Sequence, residues 1–128
     1  MDLRIEHAAV YVADLEKTKD YYVTLFGAKC GPLYRNQSGF SSYFLTFGSG
    51  ARLEVMHRSG QAGPAHDGEE NGWSHLAFSV GTRENVLSLT QKITGAGYPL
   101  YSGPRETGDG YFESCVGDPD GNRVEITI

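Results

Sequence analysis

HAAVYVADLEKTKDYYVTLFGA, residues 7–28, and HLAFSVGTRENVLSLTQKITGA, residues 75–96, are two versions of one stretch. A shift of 68 residues pairs His7 with His75, Ala9 with Ala77, Val12 with Val80, Glu16 with Glu84, Gly27 with Gly95 and Ala28 with Ala96. Six identities in 22 positions is well above the roughly one or two that average residue usage gives. Further on, a shift of 71 pairs Gly50 with Gly121, Arg52 with Arg123 and Glu54 with Glu125, with Leu53/Val124 and Val55/Ile126 alongside. Both halves thus read H-x-A-x-x-V early and G-x-R-[LV]-E-[VI] late. Two copies make a duplicated module, since solenoid arrays need three or more units.

Each module opens on an alternating stretch, Glu6 to Val12 and His75 to Val80, which is strand patterning. Asp14 and Thr82 follow as N-caps. The apolar residues after them (Leu15, Tyr22, Leu25, Phe26; then Val86, Leu89, Ile93) recur at three and four, which predicts a helix closed by Gly27 and by Gly95. Three further strands are expected in each module, near 32–36, 41–47 and 51–57, then near 98–101, 111–116 and 123–128. Asp118-Pro119-Asp120-Gly121 supplies the residues of a type I turn between the last two. The expected fold is α+β, two βαβββ modules in tandem.

Ser59 to Gly72, SGQAGPAHDGEENG, is polar and aperiodic and reads as a connection between module 1 (residues 1–58) and module 2 (residues 73–128) of a single domain. A chain of 128 residues and 14.0 kDa buries enough surface to fold without disulfide or structural metal. Cys30 and Cys115 have neither a CxxC nor a zinc-finger spacing and read as buried, reduced thiols. The N-terminus has no basic segment leading into an apolar one, and no apolar run approaches membrane length, so no membrane partner and a cytoplasmic location are expected. With 11 basic residues against 16 acidic ones and a net charge of −5, no nucleic-acid partner is expected either.

Strand alternation puts His7, Ala9 and Tyr11 on one face and Arg52, Glu54 and Met56 on one face of another strand. His75, Ala77 and Ser79 repeat the first set, and Arg123, Glu125 and Thr127 the second. Core packing has no need for a histidine and a glutamate twice at the same module positions. Two imidazoles and two carboxylates form a ligand set for a divalent first-row metal, with positions left open for water or substrate. His57 has the opposite parity to Glu54, and His66 lies in the connection; neither is assigned as a ligand. Arg52 and Arg123, just before the glutamates, read more readily as salt-bridge residues than as binders of an acidic substrate.

HAAVYVADLEKTKDYY (7–22), LFGA (25–28), LEV (53–55), HLAFSV (75–80) and GDPDGNRVEI (117–126) resemble the vicinal oxygen chelate superfamily, the glyoxalase/bleomycin resistance/extradiol dioxygenase group. The resemblance covers essentially the whole chain. It implies a cupped mixed sheet around a metal and, because His7, Glu54, His75 and Glu125 stand at the motif positions one by one, it is nearest to bacterial glyoxalase I. Bleomycin-binding proteins lack the metal set, whereas fosfomycin-resistance transferases and extradiol dioxygenases use His, His and Glu. The resemblance departs at two places. Tyr11 stands where glyoxalase I has an arginine four residues after the first histidine, and Arg58 where it has an asparagine four residues after the first glutamate, for the glutathione moiety. Tyr11 and Arg58 are therefore candidate substrate contacts for something other than glutathione.

The function implied is that of a metal-dependent lyase or isomerase of the glyoxalase I type. It would act on a thiohemiacetal or related hydroxy-carbonyl small molecule through an enediolate, with one divalent ion per site drawn from Ni, Zn, Co, Mn or Fe. Glu125 is the expected proton-transferring base and Glu54 its symmetry-related alternative. A homodimer is expected from the family's habit of pairing modules across subunits. The alternatives are a small-molecule-binding or resistance protein of the same fold without turnover, and a ring-cleaving dioxygenase. Residues 102–110, SGPRETGDG, read as a mobile cover or a plain surface turn.

Overall fold

The computed structural model describes residues 1–61, 63 and 68–128. The chain divides into two compact units, residues 1–63 and residues 64–128. In the first unit, β1 (His7–Tyr11) leads into α1 (Leu15–Phe26), two short strands β2 (Lys29–Cys30) and β3 (Tyr34–Arg35), then β4 (Phe40–Thr46) and β5 (Arg52–Arg58). The second unit runs β6 (His75–Ser79), α2 (Arg83–Gly95), β7 (Leu100–Glu106), β8 (Phe112–Gly117) and β9 (Arg123–Thr127). The fold is α+β, and each unit carries one mixed sheet.

The sheet orders are β1-β5-β4-β2, with β3 also on β4, and β6-β9-β8-β7. In both, the unit's first strand lies parallel to its last, while the other pairings are antiparallel. The registers are equivalent: His7 opposes Arg52 and Ala9 opposes Glu54, as His75 opposes Arg123 and Ala77 opposes Glu125. A parallel crossover needs a helix to return the chain, and α1 and α2 fill that role.

The helices start where Asp14 and Thr82 cap them: Asp14 Oδ1 accepts from the Lys17 amide at 3.0 Å, and Thr82 Oγ1 from that of Asn85 at 3.1 Å. Leu15, Thr18, Tyr21, Tyr22 and Leu25 of α1 are buried on the helix-facing side of the first sheet, which presents Leu45, Leu53 and Val55. In the second unit Val86, Thr90 and Ile93 meet Val116, Val124 and Ile126. Thr90, 3% exposed, takes a core position that a leucine would ordinarily fill. Its hydroxyl donates to the Val86 carbonyl at 2.6 Å and lies 2.6 Å from Ser114 Oγ, so the buried polar groups partner one another.

Gly27 closes α1 in the left-handed region, φ 69°, as expected. Gly95 does not close α2: it is the last helical residue, Ala96 is the cap, and Gly97 at φ 96° takes the left-handed conformation. The expected strand at 32–36 is shorter and preceded by β2, because Pro32 has no N–H to give a ladder. The expected strand at 98–101 is instead β7, so most of residues 102–110, read as a cover or a surface turn, is strand. β7 runs against β8 with register shifts on either side of Ser102. Only glycine fits at 103, where φ is +78° and a Cβ would lie 2.5 Å from the Glu113 carbonyl oxygen. Cys115 is buried, but Cys30, on the short strand β2, is exposed; both are free thiols.

Asp118, 3% exposed, organises the turn from β8 to β9. Its Oδ1 accepts the Asp120 and Asn122 amides, both at 2.9 Å, and its Oδ2 the Asn122 side-chain amide at 2.9 Å, while the Gly121 amide closes the turn on the Asp118 carbonyl at 2.9 Å. Burial pushes the Asp118 carboxyl up, against the hydrogen bonds from Asn122 and Asp120 that favour its charge. Asp118→Ala leaves three donors without acceptors and should destabilise the protein by about 2 kcal/mol, read as a lowered denaturant midpoint at unchanged slope. A midpoint within error of the unsubstituted protein would show that the turn holds without its carboxylate.

Candidate functional site

In the first unit, alternation along β1 and β5 turns Ala8, Val10, Leu53 and Val55 toward α1, and leaves His7, Ala9, Tyr11, Arg52, Glu54 and Met56 on the other face. His7 Nε2 lies 4.0 Å from Glu54 Oε1. The other ring nitrogen, Nδ1, is 2.7 Å from Glu6 Oε2, and the second oxygen of Glu6 is held by Arg52 Nη2. Arg52 in turn lies over the Phe44 ring, 4.0 Å from its centroid, and the edge of His7 meets the same ring at 5.4 Å. The hydrogen bonds from Arg52 and then His7 hold the Glu6 carboxyl below the usual carboxylate range.

The second unit builds the same pair at the same register. His75 Nε2 lies 3.1 Å from Glu125 Oε2, and Ser74 Oγ is 3.1 Å from His75 Nδ1. Burial pushes the Glu125 carboxyl up; His75 opposes this, and the Glu113 carboxylate on β8 adds to it. Arg123 pairs with Glu69 at 2.6 Å, the counterpart of Arg52 on Glu6. Both arginines are thus in ion pairs with acidic residues.

A donor set of this kind fits a metal. Nitrogen and oxygen ligands each about 2.0–2.2 Å from one ion stand about 3–3.4 Å apart in the usual geometries. His75 and Glu125 already stand at 3.1 Å, and His7 and Glu54, part-exposed at 42% and 17%, need only a small side-chain rotation from 4.0 Å. Each unit supplies two donors, and among the described residues no three His, Cys, Asp or Glu side chains come together as a metal-holding group.

Tyr11 and Arg58, the two candidate substrate contacts, come together. Arg58 Nη2 donates to Tyr11 Oη at 3.0 Å, and the guanidinium lies 5.8 Å from the ring centroids of both Tyr11 and Phe40. No carboxylate among the described residues pairs with Arg58. His57 stands on the helix-facing side, its Nδ1 2.8 Å from the Val12 carbonyl oxygen, beside a recess of about 320 Å³ lined also by Asp14, Glu16, Arg35 and Ser41. That recess lies behind the sheet from His7 and Glu54. His66 is outside the described residues. The residues that sequence reasoning missed are Glu6 and Ser74. They stand at equivalent places, each directly before a repeated histidine, and both are able to hold an Nδ1; that coincidence is the signal that would have found them.

A family model described as Glyoxalase/Bleomycin resistance protein/Dioxygenase superfamily matches residues 4–126. Methylmalonyl-CoA epimerase, mitochondrial, from Bos taurus is 36% identical over 113 residues, covering 76% of this chain and 64% of that protein. The chain thus spans a little under two thirds of that relative. A probable lactoylglutathione lyase from Vibrio cholerae serotype O1 is 27% identical over 128 residues, covering 96% of this chain and 88% of its own length. Among solved structures, the glyoxylase/bleomycin resistance protein/dioxygenase domain from Frankia sp. EAN1pec shares the fold with a TM-score of 0.88 at 19% identity, over 100% of this chain and 98% of that one. No helix among the described residues is long and apolar enough to cross a membrane.

Proposed function

Because the chain belongs to the Glyoxalase/Bleomycin resistance protein/Dioxygenase superfamily, we propose that it is a metal-dependent lyase or isomerase of the glyoxalase I type, acting on a thiohemiacetal or related hydroxy-carbonyl small molecule. The observation that carries this reading is the repeated pair of imidazole and carboxylate, one in each unit, at the same register and on the same sheet face. His7, Glu54, His75 and Glu125 would together hold one divalent ion (Ni, Zn, Co, Mn or Fe), and the protein would work as a homodimer in the cytoplasm. What the ion supplies is Lewis acidity at two neighbouring substrate oxygens, which stabilises negative charge developing there.

The rest is the work of the chain. His7 and His75 would be fixed ligands of the ion. Glu125 takes the proton from the carbon beside the carbonyl and returns it to the neighbouring carbon; burial, which raises its affinity for a proton, suits it to that task. Glu54 is the symmetry-related candidate. Arg58, with Tyr11 to orient it and no carboxylate partner among the described residues, is free to receive an acidic group of the substrate. Arg52 and Arg123 are engaged with Glu6 and Glu69 and hold the site together.

The identity to methylmalonyl-CoA epimerase favours a second reading, inversion at a carbon beside a thioester carbonyl. Both reactions begin with removal of a proton beside a carbonyl, and they part on where the proton returns. A metal-loaded sample offered thiol adducts of methylglyoxal and, separately, a methylmalonyl thioester in deuterated water decides between them. Conversion of an adduct to the hydroxyacyl thioester supports the first; deuterium at the starting carbon with inversion supports the second. Inertness to both would leave a binding protein. With Tyr11 and Arg58 in place of the residues that hold glutathione, the glutathione adduct should be turned over far below a kcat/KM of about 10⁷ M⁻¹s⁻¹, and another adduct better. An efficiency at that level would show that these two positions do not exclude glutathione.

A further inference from the structure

Behind the first sheet, Arg35, Ser41 and His57 stand in one row across three strands: Arg35 of β3 opposes Ser41 of β4, which opposes His57 of β5. Directly opposed residues of an antiparallel pair put their side chains on the same face, about 4.5–5.5 Å apart at Cβ. All three line the recess of about 320 Å³, a volume within the roughly 300–1,000 Å³ of small-molecule sites. The start of α1 bounds it with Asp14 and Glu16, and Leu33, 39% exposed, adds an apolar wall. The polar groups here are only partly engaged. Glu16 is fully used: Oε1 accepts from Tyr43 Oη at 2.5 Å and Oε2 pairs with Lys19 at 3.2 Å. Asp14 uses one oxygen, Oδ1, to cap α1. Its second oxygen, the Arg35 guanidinium and the Ser41 hydroxyl have no partner among the described residues, and Asp14 and Arg35 form no ion pair with each other. The recess therefore holds one uncompensated negative group, one uncompensated positive group and a hydroxyl.

We propose that this recess is a second small-molecule site, on the opposite side of the first sheet from His7 and Glu54, and that it takes a free α-amino acid with an apolar side chain: the carboxylate on Arg35 and Ser41, the ammonium on Asp14, the side chain against Leu33. The guanidinium fork matches a carboxylate, and the hydroxyl donates to one as well. The carboxylate of Asp14 accepts from an ammonium. Charge selects the class. An amino acid carries both signs on one carbon and so meets both uncompensated groups, whereas a lone anion faces Asp14 and a lone cation faces Arg35. Inorganic phosphate, with more negative charge, is opposed more strongly still. A metal ion lacks donors here, since among the described residues no three His, Cys, Asp or Glu side chains come together. His57, bonded through Nδ1 to the Val12 carbonyl, is a wall of the recess. The site needs neither the metal nor the reaction proposed above.

The test is ¹H–¹⁵N NMR of the full chain titrated with L-leucine, and in parallel with 4-methylpentanoate and 3-methylbutylamine, which keep the side chain and one charge each. Expected are saturable shifts at the amides of Asp14, Leu33, Arg35 and Ser41 with L-leucine, and binding of either analogue about 5-fold or more weaker. Arg35→Gln and Asp14→Asn should each weaken L-leucine by about 5-fold or more. Asparagine caps a helix as well as aspartate does, so α1 survives the second change, and Arg35 is an exposed residue of a two-residue strand, so the fold survives the first. L-leucine that moves none of these amides up to its solubility limit overturns the site. Undiminished binding in both variants, or a response centred on His7 and His75, places the amino acid elsewhere and overturns it too. An effect of only one of the two substitutions, or an analogue that binds as well as L-leucine, reduces the recess to a single-charge site and overturns the amino-acid assignment.

Discussion

Glu125→Gln is expected to lower turnover by about 10²-fold or more while metal is still bound. Glutamine keeps an oxygen at the length that places Glu125 3.1 Å from His75 Nε2, so a ligand remains, but an amide does not take up a proton from carbon. The same change at Glu54 is the necessary companion, because the repeat makes the two carboxylates formal equivalents. A larger loss at Glu54 would move the base to the first unit. Equal, small losses would leave neither carboxylate as the base. His57→Ala serves as the reference for an unrelated histidine: its ring lies behind the sheet against the Val12 carbonyl, and its removal should leave turnover nearly intact.

His75→Ala should reduce metal content several-fold, measured on protein purified without a polyhistidine tag and dialysed against metal-free buffer. One of the four proposed ligands would be lost, and with it the chelate that would let the other three hold the ion against water. The loss also removes the ring that stands 3.1 Å from Glu125, so the variant tests the pair rather than the single ring. Unchanged stoichiometry would defeat the ligand assignment at His75, and the mechanism built on it would fall.

The fold was legible because the repeat and the alternation agree. One parity along residues 7–11 and 52–56 places the apolar residues against the helix and His7 with Glu54 on the opposite face, and Asp14 and Thr82 mark where each helix begins. Residues 102–106 were not legible. Gly103 and Pro104 break a strand pattern when read locally, yet β7 continues across them because the register against β8 shifts there and the glycine lies against a carbonyl on the neighbouring strand. Such an accommodation is a property of the pair of strands and leaves no mark on one of them. Thr90 is similar: a threonine amid helical apolar spacing reads as a surface residue until Ser114 is seen opposite it. Which oxygen or nitrogen faces each imidazole is likewise invisible to periodicity. Glu6 and Ser74 hold equivalent positions with different side chains, and the sequence pattern of the sheet gives no sign that either reaches an imidazole nitrogen.

In each unit the histidine stands on the first strand and its glutamate on the last, paired in parallel, with the helix and all the other strands strung between them. This contact closes the longest loop of the unit, and long closures are the slow, entropically costly step in forming a sheet. A chain folded part of the way therefore presents one donor where the finished unit presents two.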